Sequence, residues 1–136
     1  MAVNDLVAML QVADVEKAMA FYRDVLGFEL VSPQAVFEQD GVLFWCSMKA
    51  GKAQMMLARR DGGAPMAENK QGPGDTIFYI YSDDVMAMHA SLKAKAIAVS
   101  DPRVTFYQMK EIQLEDPDGH TIWVAQHTDE APTACE

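Results

Sequence analysis

The chain has 136 residues, half of them apolar, enough for one domain of ordinary size or two small modules sharing a core. Its formal charge of −9, from 11 basic against 20 acidic residues, argues against a nucleic-acid backbone or an anionic membrane as partner and permits a cationic ligand. No apolar run approaches the ~18 residues of a membrane span and no basic region leads into an apolar one at the N-terminus; with Cys46 and Cys135 as the only cysteines, neither a disulfide framework nor a cysteine metal site is supported, and a cytoplasmic protein is expected.

Residues 6–12 predict a first strand, and Asp14 then stands as the N-cap of an amphipathic helix. Val15, Ala18, Met19, Tyr22 and Leu26 recur at helical spacing, and Gly27 supplies a C-terminal stop. Three strands are predicted next, over 28–38, 42–48 and 53–59, joined by Asp40-Gly41 and by Ala50-Gly51-Lys52. A Gly- and Pro-rich segment, 61–75, then breaks the pattern and reads as a linker between modules or a flap over a site.

The plan then repeats. A strand over 76–81 leads to Asp84 as N-cap and a helix whose apolar face is Val85, Met88, Leu92 and Ala96. Strands are predicted again near 97–100, 107–115 and 120–126, and Asp14-Val15 and Asp84-Val85 occupy equivalent places 70 residues apart in an internal duplication. The domain reading is therefore a first module over 1–60, a linker over 61–75, a second module over 76–127 and a polar tail over 128–136 that frays.

The most informative stretch is 105–126, TFYQMKEIQLEDPDGHTIWVAQ. Ile112 and Leu114 alternate with polar neighbours, Asp116-Pro117-Asp118-Gly119 suits a type I turn, and Ile122 and Val124 alternate with Thr121, Trp123 and Ala125. Together with residues 12–31, VADVEKAMAFYRDVLGFELV, this hairpin resembles the vicinal oxygen chelate superfamily of glyoxalases, extradiol dioxygenases and fosfomycin- and bleomycin-resistance proteins, over roughly residues 5–127. The resemblance implies an α+β fold of two βαβββ modules forming a curved mixed sheet around a cleft. It also implies a homodimer, and the nearest branch is that of the bleomycin-resistance proteins.

Metal-dependent members of that superfamily hold a divalent ion with four His, Gln or Glu side chains, two from each module. Those positions fall here on Val7, Met56, Ile77 and Trp123, so no metal and no other cofactor is expected. His89, on the second helix, His120 and His127 share no metal-like spacing and are expected at the surface.

If these four positions face inward, strand alternation brings Met9, Gln11, Tyr79 and Tyr81 with them. Phe44 or Trp45 and Phe106 or Tyr107 would add rings, giving an apolar, aromatic cleft suited to a small aromatic or cationic organic molecule. Glu111 lies in a segment resembling the polar–acidic cluster before the same turn in bleomycin-resistance proteins; it is the carboxylate able to bind a ligand cation or to act as a base. The function expected is sequestration of such a ligand, as in antibiotic resistance. The rivals are a lyase or isomerase using Glu111, a tyrosine or a bound cofactor in place of a metal, a metal-dependent enzyme or dioxygenase with Asp5 or Glu111 as displaced ligands, and a subunit whose cleft serves assembly alone.

Overall fold

Strand alternation and helix capping build each half of the molecule in the same way. The computed structural model describes residues 2–60 and 76–134, so the expected linker 61–75 and Cys135 lie outside the described residues. The chain divides into two units, Met1–Lys70 and Gln71–Glu136.

In the first unit, β1 (Ala8–Val12) leads to α1 (Val15–Leu26), followed by β2 (Glu29–Leu30), β3 (Val36–Gln39), β4 (Val42–Ala50) and β5 (Ala53–Arg59). The sheet order is β1-β5-β4-β2, with β3 also paired to β4. β1 runs parallel to β5 and the remaining pairs are antiparallel, so the chain between these two parallel neighbours runs through α1 and then β2, β3 and β4. The Asp14 side chain accepts from the Lys17 amide at 3.0 Å. Gly27 closes the helix at φ 78°, in the left-handed region that glycine enters without steric cost. Val15, Ala18, Tyr22 and Leu26 are buried on α1, and Leu10, Val12, Cys46, Met48, Met55 and Leu57 on the strands. Each large apolar side chain removed from water contributes roughly 1.5–3 kcal/mol.

The expected single strand 28–38 is two strands. Pro33 lacks the amide that a ladder needs; a turn closes around it, with the Ala35 amide donating to the Ser32 carbonyl at 3.0 Å. Asp40 and Gly41 both have positive φ, 53° and 78°, as a two-residue type I′ hairpin requires.

The second unit contains β6 (Ile77–Tyr81), α2 (Val85–Ala94), β7 (Arg103–Val104), β8 (Met109–Glu115) and β9 (Thr121–His127). Their order is β6-β9-β8-β7, again with one parallel pair, β6 and β9. Asp84 caps α2 through the Ala87 amide at 2.9 Å. Ala96 lies beyond the helix rather than on its apolar face: it turns left-handed at φ 58°, and the Ile97 amide reaches back to the Leu92 carbonyl. The strand expected over 97–100 is displaced to Arg103–Val104; Ser100 instead exchanges hydrogen bonds with Gln113 through its amide and its hydroxyl.

Two further departures shape this unit. β8 begins at Met109 rather than 107, because Gln108 is held left-handed at φ 63° in a tight turn. Its side-chain amide donates to the Thr128 and Glu130 carbonyls at 3.0 and 2.8 Å. The expected frayed tail is tied down over its described length: the Thr133 amide donates to the Val104 carbonyl, and the Val104 amide donates to the Thr133 hydroxyl, both at 2.8 Å. No helix among the described residues is long and apolar enough to cross a membrane.

Candidate functional site

Strand register assigns every expected site residue to a face. In the second unit, Ile112 and Leu114 pair with Val124 and Ile122 on the buried side, so Glu111 and Gln113, opposite Ala125 and Trp123, share the other side. Tyr79 and Tyr81 join them through their pairing with Trp123 and Ala125. The Tyr79 ring centroid lies 6.4 Å from that of Trp123 and 5.3 Å from that of Tyr81.

Glu111 is 5% exposed, a burial that costs a carboxylate several kcal/mol unless hydrogen bonds compensate it. Two hydroxyls do so. Tyr79 donates to Oε2 at 2.5 Å and Tyr107 donates to the same oxygen at 2.7 Å. Tyr107 reaches inward from the turn set by the left-handed Gln108, four residues before its acceptor. Burial, followed by the bond to Glu111, raises the pKa of the Tyr79 hydroxyl, and the bond to Glu111 is the chief cause of the rise at Tyr107. Both hydroxyls are therefore neutral donors at neutral pH.

A cavity of about 320 Å³ opens beside this cluster, within the size range of small-molecule sites. Trp123, Phe106, Tyr107 and Glu111 line it, together with Arg103 and Gln113. Phe106 is 87% exposed and stands edge-on to Tyr107 with centroids 5.0 Å apart. Pro132 and Thr133 add a wall from the tied-down tail. Phe106 and Tyr107 both line the cavity, one as wall and one as carboxylate partner, whereas Tyr79 and Tyr81 lie outside the lining and Tyr81 is largely exposed.

Met9, Gln11 and Met56 belong to the first unit. Met9 pairs with Met56 and Gln11 with Ala58, on the sheet face turned away from α1. The third-strand register selects Trp45, which pairs with Ala58 on that face. Phe44 belongs to the opposite face, where the Arg59 guanidinium lies 5.2 Å from its ring centroid; an odd shift of one residue is enough to reverse a strand's faces, which is why the sequence left the two open.

The positions expected from the resemblance to hold a metal are Val7, Met56, Ile77 and Trp123. Their side chains offer no imidazole or carboxylate, and Met56 only a soft thioether, so this set does not fit a hard divalent ion. Among the described residues no group of three His, Cys, Asp or Glu side chains is placed to hold one elsewhere. Asp5, the other candidate ligand, accepts from the Leu6 amide at 2.7 Å.

Two histidines differ from their expected surface roles. His120 is half-buried, its Nδ1 2.6 Å from Asp116 Oδ2, and that bond raises its pKa. The buried Asp116 also accepts from the Asp118 and His120 amides, both at 2.9 Å, so the pair locks the β8–β9 turn. His89 is partly buried on α2, with Nε2 out of contact with water and without a hydrogen-bond partner among the described residues.

The sequence profile of the Glyoxalase/Bleomycin resistance protein/Dioxygenase superfamily matches residues 5–124. The antibiotic-binding protein TnmS3 from Streptomyces sp. CB03234 is similar in structure, with 26% identity and a TM-score of 0.66 over 94% of this chain and 100% of that one. A bleomycin-binding protein solved with bleomycin matches at 18% identity and TM-score 0.65, over 92% and 99% of the two chains. A lactoylglutathione lyase from Agrobacterium tumefaciens matches at 21% identity and TM-score 0.65, over 92% and 94%. At those two identities the likeness is one of fold. No curated protein matches the chain.

Proposed function

We infer, for a chain that belongs to the Glyoxalase/Bleomycin resistance protein/Dioxygenase superfamily, that it is a metal-free binder which sequesters a small aromatic or cationic organic molecule without transforming it. The observation that carries this reading is Glu111: a buried carboxylate held by two neutral hydroxyls, at the edge of a cavity walled by Trp123 and Phe106. A ligand ring against those walls gains about 0.5–1.5 kcal/mol per aromatic contact. A cationic or hydrogen-bond-donating substituent finds in Glu111 a partner already desolvated and oriented, so less ordering is needed on binding.

Similarity to an antibiotic-binding protein supports natural-product antibiotics as the first class to try. A homodimer, as in the superfamily, belongs to the same proposal. Thermal-shift screening of aromatic and cationic compounds, natural-product antibiotics included, tests the reading on untagged protein whose metal content is measured in parallel. Stabilisation by at least one class with far less than one ion per chain is the expected result. About one Zn, Ni, Mn or Fe per chain would overturn the metal-free reading.

The rival with a specific observation behind it is turnover, because a buried carboxylate beside two tyrosines could serve as a general base. Glu111→Gln separates the two: consumption of a bound compound that stops in this variant while binding survives would favour the enzyme.

A further inference from the structure

The cavity contains a second charge that the reading above does not use. Arg103 on β7 is the strand partner of Glu111 on β8, so the two side chains leave the sheet on the same face, and both line the cavity. They do not close on one another: among the described residues neither takes part in an ion pair. The tyrosyl bonds explain how this is sustained, since both end on Oε2 and satisfy that oxygen without a cation. Among the described residues, no hydrogen bond ends on Oε1.

A ligand carrying one charge would answer one of these groups and forgo the other: an anion would seat unmatched against the buried Glu111, and a cation would leave the donors of the exposed Arg103 unused. A ligand carrying adjacent opposite charges answers both. Resting on the binding reading above, we propose that this cavity takes a small zwitterionic aromatic: its ammonium donates to Glu111, its carboxylate accepts from Arg103, and its ring lies against Trp123 and Phe106. The planar guanidinium supplies two parallel donors for a carboxylate, which a lysine could not. The Gln113 side chain, two residues along the same strand face from Glu111, lines the cavity beside these charges and can bond to either ligand group.

The test uses three indole probes of similar size, L-tryptophan, tryptamine and indole-3-propionate, titrated into the full chain at up to millimolar concentration and followed by NMR. Wild type should bind tryptophan about tenfold more tightly than either singly charged probe, the scale of one charge-assisted bond. Arg103→Met should erase the advantage over tryptamine, and Glu111→Gln the advantage over indole-3-propionate. Arg103 is exposed, so its replacement is expected to leave the fold intact, as a thermal melt would verify, and that variant decides the matter if the Glu111 variant is unstable. Tryptamine binding as tightly as tryptophan, with Arg103→Met silent, would overturn the zwitterion and leave sequestration of a cation standing. Failure of all three probes while other compounds stabilise the protein would overturn this inference alone; failure of the whole compound panel would remove the binding reading with it.

Discussion

The two sheets can be compared rung by rung, by matching Met55-Met56-Leu57 with Ile122-Trp123-Val124. Trp45 opposite Ala58 in the first unit then corresponds to Glu111 opposite Ala125 in the second, and Ser47 opposite Met56 corresponds to Gln113 opposite Trp123. Across the parallel pairs, Met9 and Gln11 correspond to Tyr79 and Tyr81. Pairing is the same in both and the chemistry is not. One face carries thioethers, an indole and a buried serine; the other places a buried carboxylate among phenols. Duplicated backbone hydrogen bonding constrains which positions share a face but not what those positions carry, so one unit could acquire a polar site without disturbing the sheet.

The largest expected effect comes from the buried sides, which should behave alike. Leu57 and Val124 occupy matched rungs and are fully buried. Leu57→Ala should cost about 2–5 kcal/mol in urea denaturation. Val124→Ala removes one carbon fewer and should cost about 0.8 kcal/mol less. A cost under about 1 kcal/mol for either would show that the two cores are not equivalent.

The opposite faces should diverge. Trp123→Ala should weaken binding of a stabilising aromatic compound about threefold to tenfold, the scale of a lost ring contact. Met56→Ala, its counterpart, should leave binding unchanged. Equal losses would mean that both faces recognise ligand.

The smallest effect separates the turns. His120 has a raised pKa through its bond to Asp116, so its contribution to stability is complete below the ordinary histidine value of about 6.5 and is lost as pH rises through the folded value. Amide exchange in the β8–β9 turn should therefore accelerate above that pH, beyond the intrinsic increase, and His120→Gln should remove the dependence. The Asp40-Gly41 turn, with no such pair, provides the internal control. Equal pH response in both turns would sink the assignment.

Much of the architecture could be read from local chemistry. Asp14, Gly27 and Asp84 act as caps for the reasons their side chains suggest, and the alternation around Trp123 gave its face correctly. Glu111 was legible as a carboxylate worth attention, but not as buried, because its protection comes from Tyr79, 32 residues earlier, and from a turn set by Gln108. Gln113 could have been found as the alternate neighbour of Glu111. Arg103 could not, since its position depends on a two-residue strand whose register no pattern announces. The tail deceived for a related reason: its polarity resembles disorder, yet Thr133 and Glu130 meet partners distant in sequence.

The placement of Glu111 also bears on how the chain reaches its structure. Slipping β8 by one residue against β9 would turn its faces over, driving this carboxylate in among Ile122 and Val124 and moving Ile112 out to the opposite side. Away from the tyrosyl hydroxyls the charge would have no compensation for leaving water. A misaligned hairpin is thus penalised, and the side chain proposed to recognise a ligand also disfavours the slipped register.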